Sequence, residues 1–316
     1  MGLSAKRVLV TGGNGFIGSH LVRDLVSKKV DVTVPYISID KNSYFHSYQL
    51  HKKTEFVYCD LTDFNKTFKL IKNNNIDFIF HLAAQSIVEN AVENPRDTFN
   101  SNIMATVNVL DAARQWGRVS GIIVTSSDKA YGKIPKASES DPLGGDHPYE
   151  SSKAAADLIA LTYFKTYHLP IVVTRFGNVY GEGDLNFSRI IPGIMEVIIK
   201  NKELKIRSDG KYRRDYVYVG DILKALITIS KNTKKIEGQA FNISSRENLS
   251  VIELVRLVSN ILDQKINYKI LNRTVNEIPA QSINFNKIQK TLGWKPENDL
   301  ASTIPSIFDW YKNYLR

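Results

Sequence analysis

What most limits the fold of this chain is a glycine turn set between a short apolar run and an amphipathic segment. The run is RVLVT at residues 7–11, and Gly12, Gly13, Gly15 and Gly18 follow it at once. Residues 16–28 then place Ile17, Leu21, Val22 and Leu25 on one helical face. The order reads as a strand buried on both faces, a tight turn, and a helix packed back on the strand. The spacing Gly12-x-x-Gly15-x-x-Gly18 suits three needs: a sharp turn, close approach of backbone to a pyrophosphate, and close contact of helix with strand. An anion then lies at the positive end of the helix. A dinucleotide site built from Gly12, Gly15, Phe16, Ile17 and Gly18 is therefore expected.

The rest of the first half repeats that rhythm. Strand-like runs at residues 31–34, 55–60, 77–81, 121–125 and 170–176 alternate with helical patterns at 64–72, 95–116 and 149–167. Alternation of this kind predicts an α/β fold, a doubly wound parallel (Rossmann) sheet. Residues 55–60 read as a buried strand, and Pro35 predicts that the second strand ends early. The second half is less regular. A loop at 181–186, helices at 190–201, 221–231 and 251–262, and short strands at 204–207, 241–243 and 267–271 predict a smaller α+β substrate-binding domain. The expected division gives residues 1–176 plus about 217–242 to the dinucleotide-binding domain, and about 177–216 plus 243–316 to the other.

Composition narrows the partners. Lys+Arg 42 against Asp+Glu 32 gives a net charge of +10. The lysines are scattered, with no dense basic tract, which favours an anionic small molecule over nucleic acid. No apolar run is long enough to span a membrane. The one cysteine, Cys59, excludes an internal disulfide and reads as a packing residue, and a reducing cytoplasm is expected. No metal site is expected.

The chemistry is expected at the end of the fifth strand. Ser127, Asp128 and Lys129 follow it directly, at the edge where doubly wound sheets bind ligands. Tyr149 and Lys153 are i and i+4, so on a helix they share a face. A neighbouring ammonium favours phenolate, which predicts a lowered Tyr149 pKa and an acid/base role at neutral pH.

The turn TGGNGFIG at residues 11–18 resembles the extended short-chain dehydrogenase/reductase family, the nucleotide-sugar epimerases and dehydratases. CDL at 59–61, HLAAQ at 81–85, Asn102 opening a long helix, Tyr149-x-x-x-Lys153, RFGNVYG at 175–181, RDYVYVGD at 214–221, FNI at 241–243 and LGWKP at 292–296 agree in order, so the likeness spans nearly the whole chain. The resemblance implies that Asp60 and Leu61 face the adenine, that Ala83 and Ala84 line the nicotinamide side, and that Tyr149 and Lys153 also bind the cofactor. One departure is that residues 32–36 offer no acid for the ribose hydroxyls, Asp40 coming four residues later. No Arg takes that place, so NAD is favoured and NADP stays open. On the substrate side it implies that Asn178 contacts the sugar diphosphate and that Arg214 holds the phosphates. Gln85, Arg189 and Arg207 are further candidates. Members are commonly homodimers that pair two helices, here those at 95–116 and 149–167.

The family shares C4 oxidation of a nucleotide-diphosphate hexose, with Tyr149 taking the hydroxyl proton and Ser127 bonded to the same oxygen. Epimerisation needs nothing more. A 4,6-dehydratase needs an extra acid and an extra base near C5 and C6. Asp128-Lys129 resembles the pair in CDP-glucose 4,6-dehydratases, where Asp protonates the leaving hydroxyl and Lys removes the C5 proton. The expectation is a 4,6-dehydratase. The alternatives are a 4-epimerase of the same family and a non-catalytic NAD(P)-sensing protein, which tends to lose the Tyr/Lys pair that is intact here.

Overall fold

The computed structural model describes residue 3, residues 6–273 and residues 278–316. Its strands are β1 (Arg7–Thr11), β2 (Asp31–Tyr36), β3 (Glu55–Tyr58), β4 (Phe78–His81), β5 (Ile122–Ser127), β6 (Ile171–Phe176), β7 (Asn178–Tyr180), β8 (Leu204–Ile206), β9 (Arg213–Tyr218), β10 (Ala240–Ile243), β11 (Asn248–Ser250) and β12 (Tyr268–Ile270). Seven form one parallel sheet in the order β10-β6-β5-β4-β1-β2-β3. Strand order reverses between β1 and β4, and a crevice opens beyond the carboxyl ends of strands at such a point. The expected doubly wound sheet is present.

Burial explains why these runs are strands. Val8, Leu9 and Val10 are fully buried, as are Ile122 and Ile123 in β5 and Ile171, Val172 and Val173 in β6. Side chains alternate between two cores, one on each face. Val8 and Val10 join the helices Phe16–Ser27 and Val219–Ile236. Leu9, Ile122 and Val124 join the helices Phe64–Asn73, Ala105–Trp116 and Pro148–Tyr167. A third core gathers the helices Ile190–Ile199, Val251–Leu262 and Leu300–Tyr314 around Tyr216 and Tyr311. It lies under the small sheets β11-β9-β7 and β12-β8.

The structure corrects three local expectations. β3 is an edge strand and not a buried one: Tyr58 is 61% exposed, and burial resumes only at Cys59, just past its end. β2 runs through Pro35 instead of stopping before it. Its register with β1 ends at Thr33, so only β3 remains beside Pro35 and the missing N–H is asked for on one side alone. The helix expected over 95–116 is three pieces: Pro95–Phe99, a π-helical turn at Asn100–Met104, and Ala105–Trp116. Such wide turns re-aim a side chain, often at a functional site. Here the turn sets Asn102 between two elements of the crevice.

Candidate active site

One cleft of about 1830 Å³ runs along the carboxyl edge of the large sheet and into the small ones. Pockets for a single small molecule are ~300–1,000 Å³, so this cleft has room for a dinucleotide and a second nucleotide together. Every residue expected in the site from the sequence lines it: the glycine turn, Asp60, Leu61, Ala83, Ala84, Gln85, Ser127 to Lys129, Tyr149, Lys153, Asn178, Arg189, Arg207 and Arg214.

At the cofactor end, Gly12 has φ +67, and a Cβ there would lie 2.8 Å from the Ala83 backbone nitrogen. A Cβ on Gly18 would lie 2.0 Å from the Gly12 carbonyl oxygen. The helix Phe16–Ser27 begins at Gly15 with no capping side chain and no acid in its first turn. Its first amides are thus left for an anion, and the residues present fit a dinucleotide pyrophosphate. Gly18→Ala is expected to yield folded protein that purifies without bound nicotinamide dinucleotide, checked by ultraviolet absorbance of an acid extract.

Behind that turn is a buried hydroxyl–imidazole chain. His81 Nδ1 lies 2.8 Å from Thr11 Oγ1 and Nε2 lies 2.9 Å from Thr106 Oγ1. Thr11 Oγ1 also accepts from the amides of Leu82 and Ala83. The strand end β1 and the loop after β4 are thereby locked around Gly12. Burial pushes the His81 pKa down to about 3, with the Lys153 charge lowering it further. Between its ordinary value of 6.5 and about 3, the unfolded chain takes up a proton that the fold refuses. Stability therefore falls as pH drops: by about 2 kcal/mol from about pH 6.5 to about pH 5. Urea titrations of the wild type should show this, and His81→Gln should flatten it.

The candidate catalytic group is built on two elements. β5 ends at Ser127, and a 3₁₀ turn, Asp128–Tyr131, follows. Ser127 Oγ caps the turn by accepting from the Lys129 amide at 3.2 Å and donates to Asp128 Oδ1 at 2.9 Å. Tyr131 anchors the far end of the turn. Its hydroxyl donates to Asn242 in β10 and accepts from Arg175, which is held bidentate by Asp157. Asp157 and Arg175 are buried, an arrangement that tolerates neither partner alone. The helix Pro148–Tyr167 places Tyr149, Lys153 and Asp157 at successive i+4 positions, all buried.

The electrostatics differ from the expectation of a phenol acidified by Lys153. Burial pushes the Tyr149 pKa up to about 12; a hydrogen bond with Ser127 pulls it down and the Asp128 charge pushes it up. Lys153 is brought down to about 8 by burial, against the pull of Asp157, and its ammonium donates to the Thr125 carbonyl at 3.1 Å. Sharing a helical face was read correctly, but desolvation is the largest influence on each group.

The residues expected on the substrate side are partly engaged. Arg189 pairs with the buried Asp184 at 3.0 Å, and Arg207 pairs with Glu89, both partners half-exposed. Arg214 donates to the Arg213 carbonyl at 2.8 Å. Gln85 spends its side chain on the amide and carbonyl of Ile87. Asn178 Nδ2 is buried without a partner among the described residues, a donor suited to a polar ligand in the cleft. Two contributors lie outside the site expected from sequence: Asn102 is legible there only as the residue opening a long helix, and Gln281 carries no readable signal. Asn102 bridges the Gln85 backbone and Ser152 from the π turn. Gln281 accepts from Lys129 Nζ.

A doubly wound sheet, an open glycine turn and a Tyr/Lys helix beside the end of β5 define a dinucleotide-dependent enzyme of the short-chain dehydrogenase/reductase type. A family model described as GDP-mannose 4,6 dehydratase matches residues 9–307, and the chain belongs to that family of nucleotide-sugar dehydratases and epimerases. It is 31% identical to the dTDP-D-glucose 4,6-dehydratase of Homo sapiens, over 98% of this chain and 90% of that one. Among solved structures it resembles the dTDP-glucose 4,6-dehydratase of Streptomyces venezuelae with NAD and TYD bound. The TM-score is 0.87 at 26% identity, over 97% of each chain. It also resembles the UDP-glucuronic acid 4-epimerase of Bacillus cereus in complex with UDP-glucuronic acid and NAD, with TM-score 0.89 at 25% identity, over 97% of this chain and 99% of that one.

Proposed function

We propose that the chain is an NAD-dependent nucleotide-sugar 4,6-dehydratase, converting a nucleoside-diphosphate hexose to its 4-keto-6-deoxy form. The observation that carries this is the turn after β5, which presents an acid and an amine, Asp128 and Lys129, to the same cleft as Ser127 and Tyr149. When bound, NAD supplies the hydride acceptor, taking a hydride from C4 of the hexose and returning it to C6. Tyr149 takes the C4 hydroxyl proton, and Ser127 holds that oxygen. Lys153 and the glycine turn orient the dinucleotide. The 4-keto group then acidifies C5. Lys129 Nζ takes the C5 proton with its lone pair, and the C–H electrons become the C5=C6 bond. The C6–O bond breaks, its oxygen takes a proton from Asp128, and water leaves. Lys129 returns its proton to C5 as C6 becomes a methyl group. A lysine acts as base only when neutral; the Lys129 side chain is 18% exposed.

Asn178 and Arg214 are the groups we assign to the diphosphate. Arg189 and Arg207 reach it by exchanging Asp184 and Glu89 for phosphate oxygens, a planar cation being suited to either partner. Residues 1–176 with about 217–242 serve the dinucleotide, and the remainder serves the sugar nucleotide. A homodimer is supported by apolar side chains left exposed on the two candidate helices, with Met104 at 45%, Leu158 at 55% and Tyr167 at 50%. A cytoplasmic enzyme fits the lone buried thiol of Cys59.

The test is a mass-spectrometric screen of nucleoside-diphosphate hexoses. The expected product is one water lighter than its substrate. A product of unchanged mass with inverted C4 would replace this reading with the 4-epimerase one.

A further inference from the structure

Lys129 Nζ donates to Oε1 of Gln281, a residue 152 positions away in sequence. Gln281 is 2% exposed. Its backbone is fixed to the substrate-side sheet: its amide donates to the Arg213 carbonyl in β9 at 3.1 Å, and Asn248 Nδ2 of β11 lies 3.4 Å from its carbonyl. Asn248 is itself held by Asp215 at 2.9 Å. The side-chain amide is therefore carried by a rigid frame. Its other end is unusual. Nε2 is buried and has no partner among the described residues. A buried donor left unpaired is costly and calls for a reason.

An amide offers an acceptor at one end and a donor at the other, exchanged by rotation of the terminal torsion. An ammonium needs an acceptor. A neutral amine has a lone pair that needs a donor. A base that takes a proton and gives it back passes through both states. Resting on Lys129 as the C5 base, we propose that Gln281 is its positioning residue, holding Lys129 through Oε1 when it is protonated and through Nε2 when it is neutral. The idle Nε2 is the half of the amide that serves the neutral form. A carboxylate in this place offers acceptors only and holds the lysine charged. Among the described residues, the carboxylates nearest Lys129 lie elsewhere. Asp128 Oδ1 on its own turn is 3.9 Å from Nζ, beyond hydrogen-bond length. Glu150 on the helix Pro148–Tyr167 feels the Lys129 charge but bonds to His147 and the Asp146 amide. Asp215 lies behind Asp128 and bonds to Ser244 and Asn248.

The experiment uses the full chain with bound NAD and a nucleoside-diphosphate glucose that the wild type dehydrates. Two signals are followed in deuterated water: absorbance of reduced nicotinamide, which reports C4 oxidation, and deuterium at C5, which reports the base. Wild type is compared with Gln281→Glu, Gln281→Met and Lys129→Met. Both Gln281 variants are expected to oxidise C4 within a few-fold of wild type and to exchange C5 at least about ten-fold more slowly. Gln281→Glu should regain exchange as pH is raised, because its added charge holds the ammonium; Gln281→Met should not. Normal C5 exchange in both variants, with Lys129→Met blocked, overturns the proposal and leaves the base assignment standing. Normal exchange in Lys129→Met overturns both, as does a wild type that removes water from no nucleoside-diphosphate glucose. Should Gln281→Met fail to fold, the isosteric Gln281→Glu decides. Equal loss of C4 oxidation and of C5 exchange in that variant marks a purely structural role and overturns the proposal.

Discussion

Lys129→Met is expected to separate the two halves of the reaction. Elimination should fall by about 10²–10⁴-fold, the range for loss of one positioned acid or base. C4 oxidation should survive, because Tyr149, Ser127 and the dinucleotide cradle do not depend on the amine. Reduced nicotinamide should then accumulate in a single turnover, with no product one water lighter. The turn itself should hold in this variant. Its anchors are the Ser127 cap and the Tyr131 hydroxyl between Asn242 and Arg175, and neither involves the Lys129 side chain. Methionine keeps the length and apolar stem of lysine, so packing loss is small. Continued loss of water by this variant would sink the assignment of Lys129 as base.

Tyr149→Phe is expected to abolish both halves. The hydroxyl is the group placed to accept the C4 proton, and nothing downstream proceeds without the 4-keto sugar. Turnover should drop by about 10²–10⁴-fold with no accumulation of reduced nicotinamide. The fold should persist, because the ring stays buried and only the hydroxyl bonded to Ser127 is removed. Burial is the main reason that the Tyr149 phenol is pushed up to about 12, so phenolate is scarce at neutral pH in the free chain. A cationic ligand beside the phenol shifts it down, as a neighbouring opposite charge does. The ultraviolet phenolate signal lost in Tyr149→Phe should therefore appear at lower pH with oxidised NAD bound than without it. An unchanged titration would mean that the cofactor does not lie against this residue.

The parts of the fold legible in sequence are those fixed by local pattern. Continuous apolar runs between helical segments gave the parallel sheet, since a strand covered on both faces has no polar side. The glycine turn was legible because Gly12 and Gly18 answer contacts that a Cβ would violate. Where pattern and neighbourhood diverge, the reading slipped. EFVY at 55–58 looks like a core strand, yet it forms the sheet's edge, and edge position is decided by which strand pairs next. Pro35 looked like a terminator because the sequence does not reveal that the β1 ladder has already ended.

The sequence alone determined the class of machine: a dinucleotide turn, a Tyr/Lys helix, and an acid and an amine after the fifth strand, all set by short-range spacing. Tertiary structure alone decided how those groups are tuned. Desolvation raises Tyr149 and lowers Lys153, and it depends on the whole of the surrounding packing and not on their i, i+4 separation. The tertiary structure also decided that Arg189 pairs with Asp184 and Arg207 with Glu89, partners that a phosphate would have to displace under the proposed assignment. The contact between Lys129 and Gln281 joins the large sheet to the small one. No local pattern encodes it, because it exists only where two distant stretches of chain are folded against the same cleft.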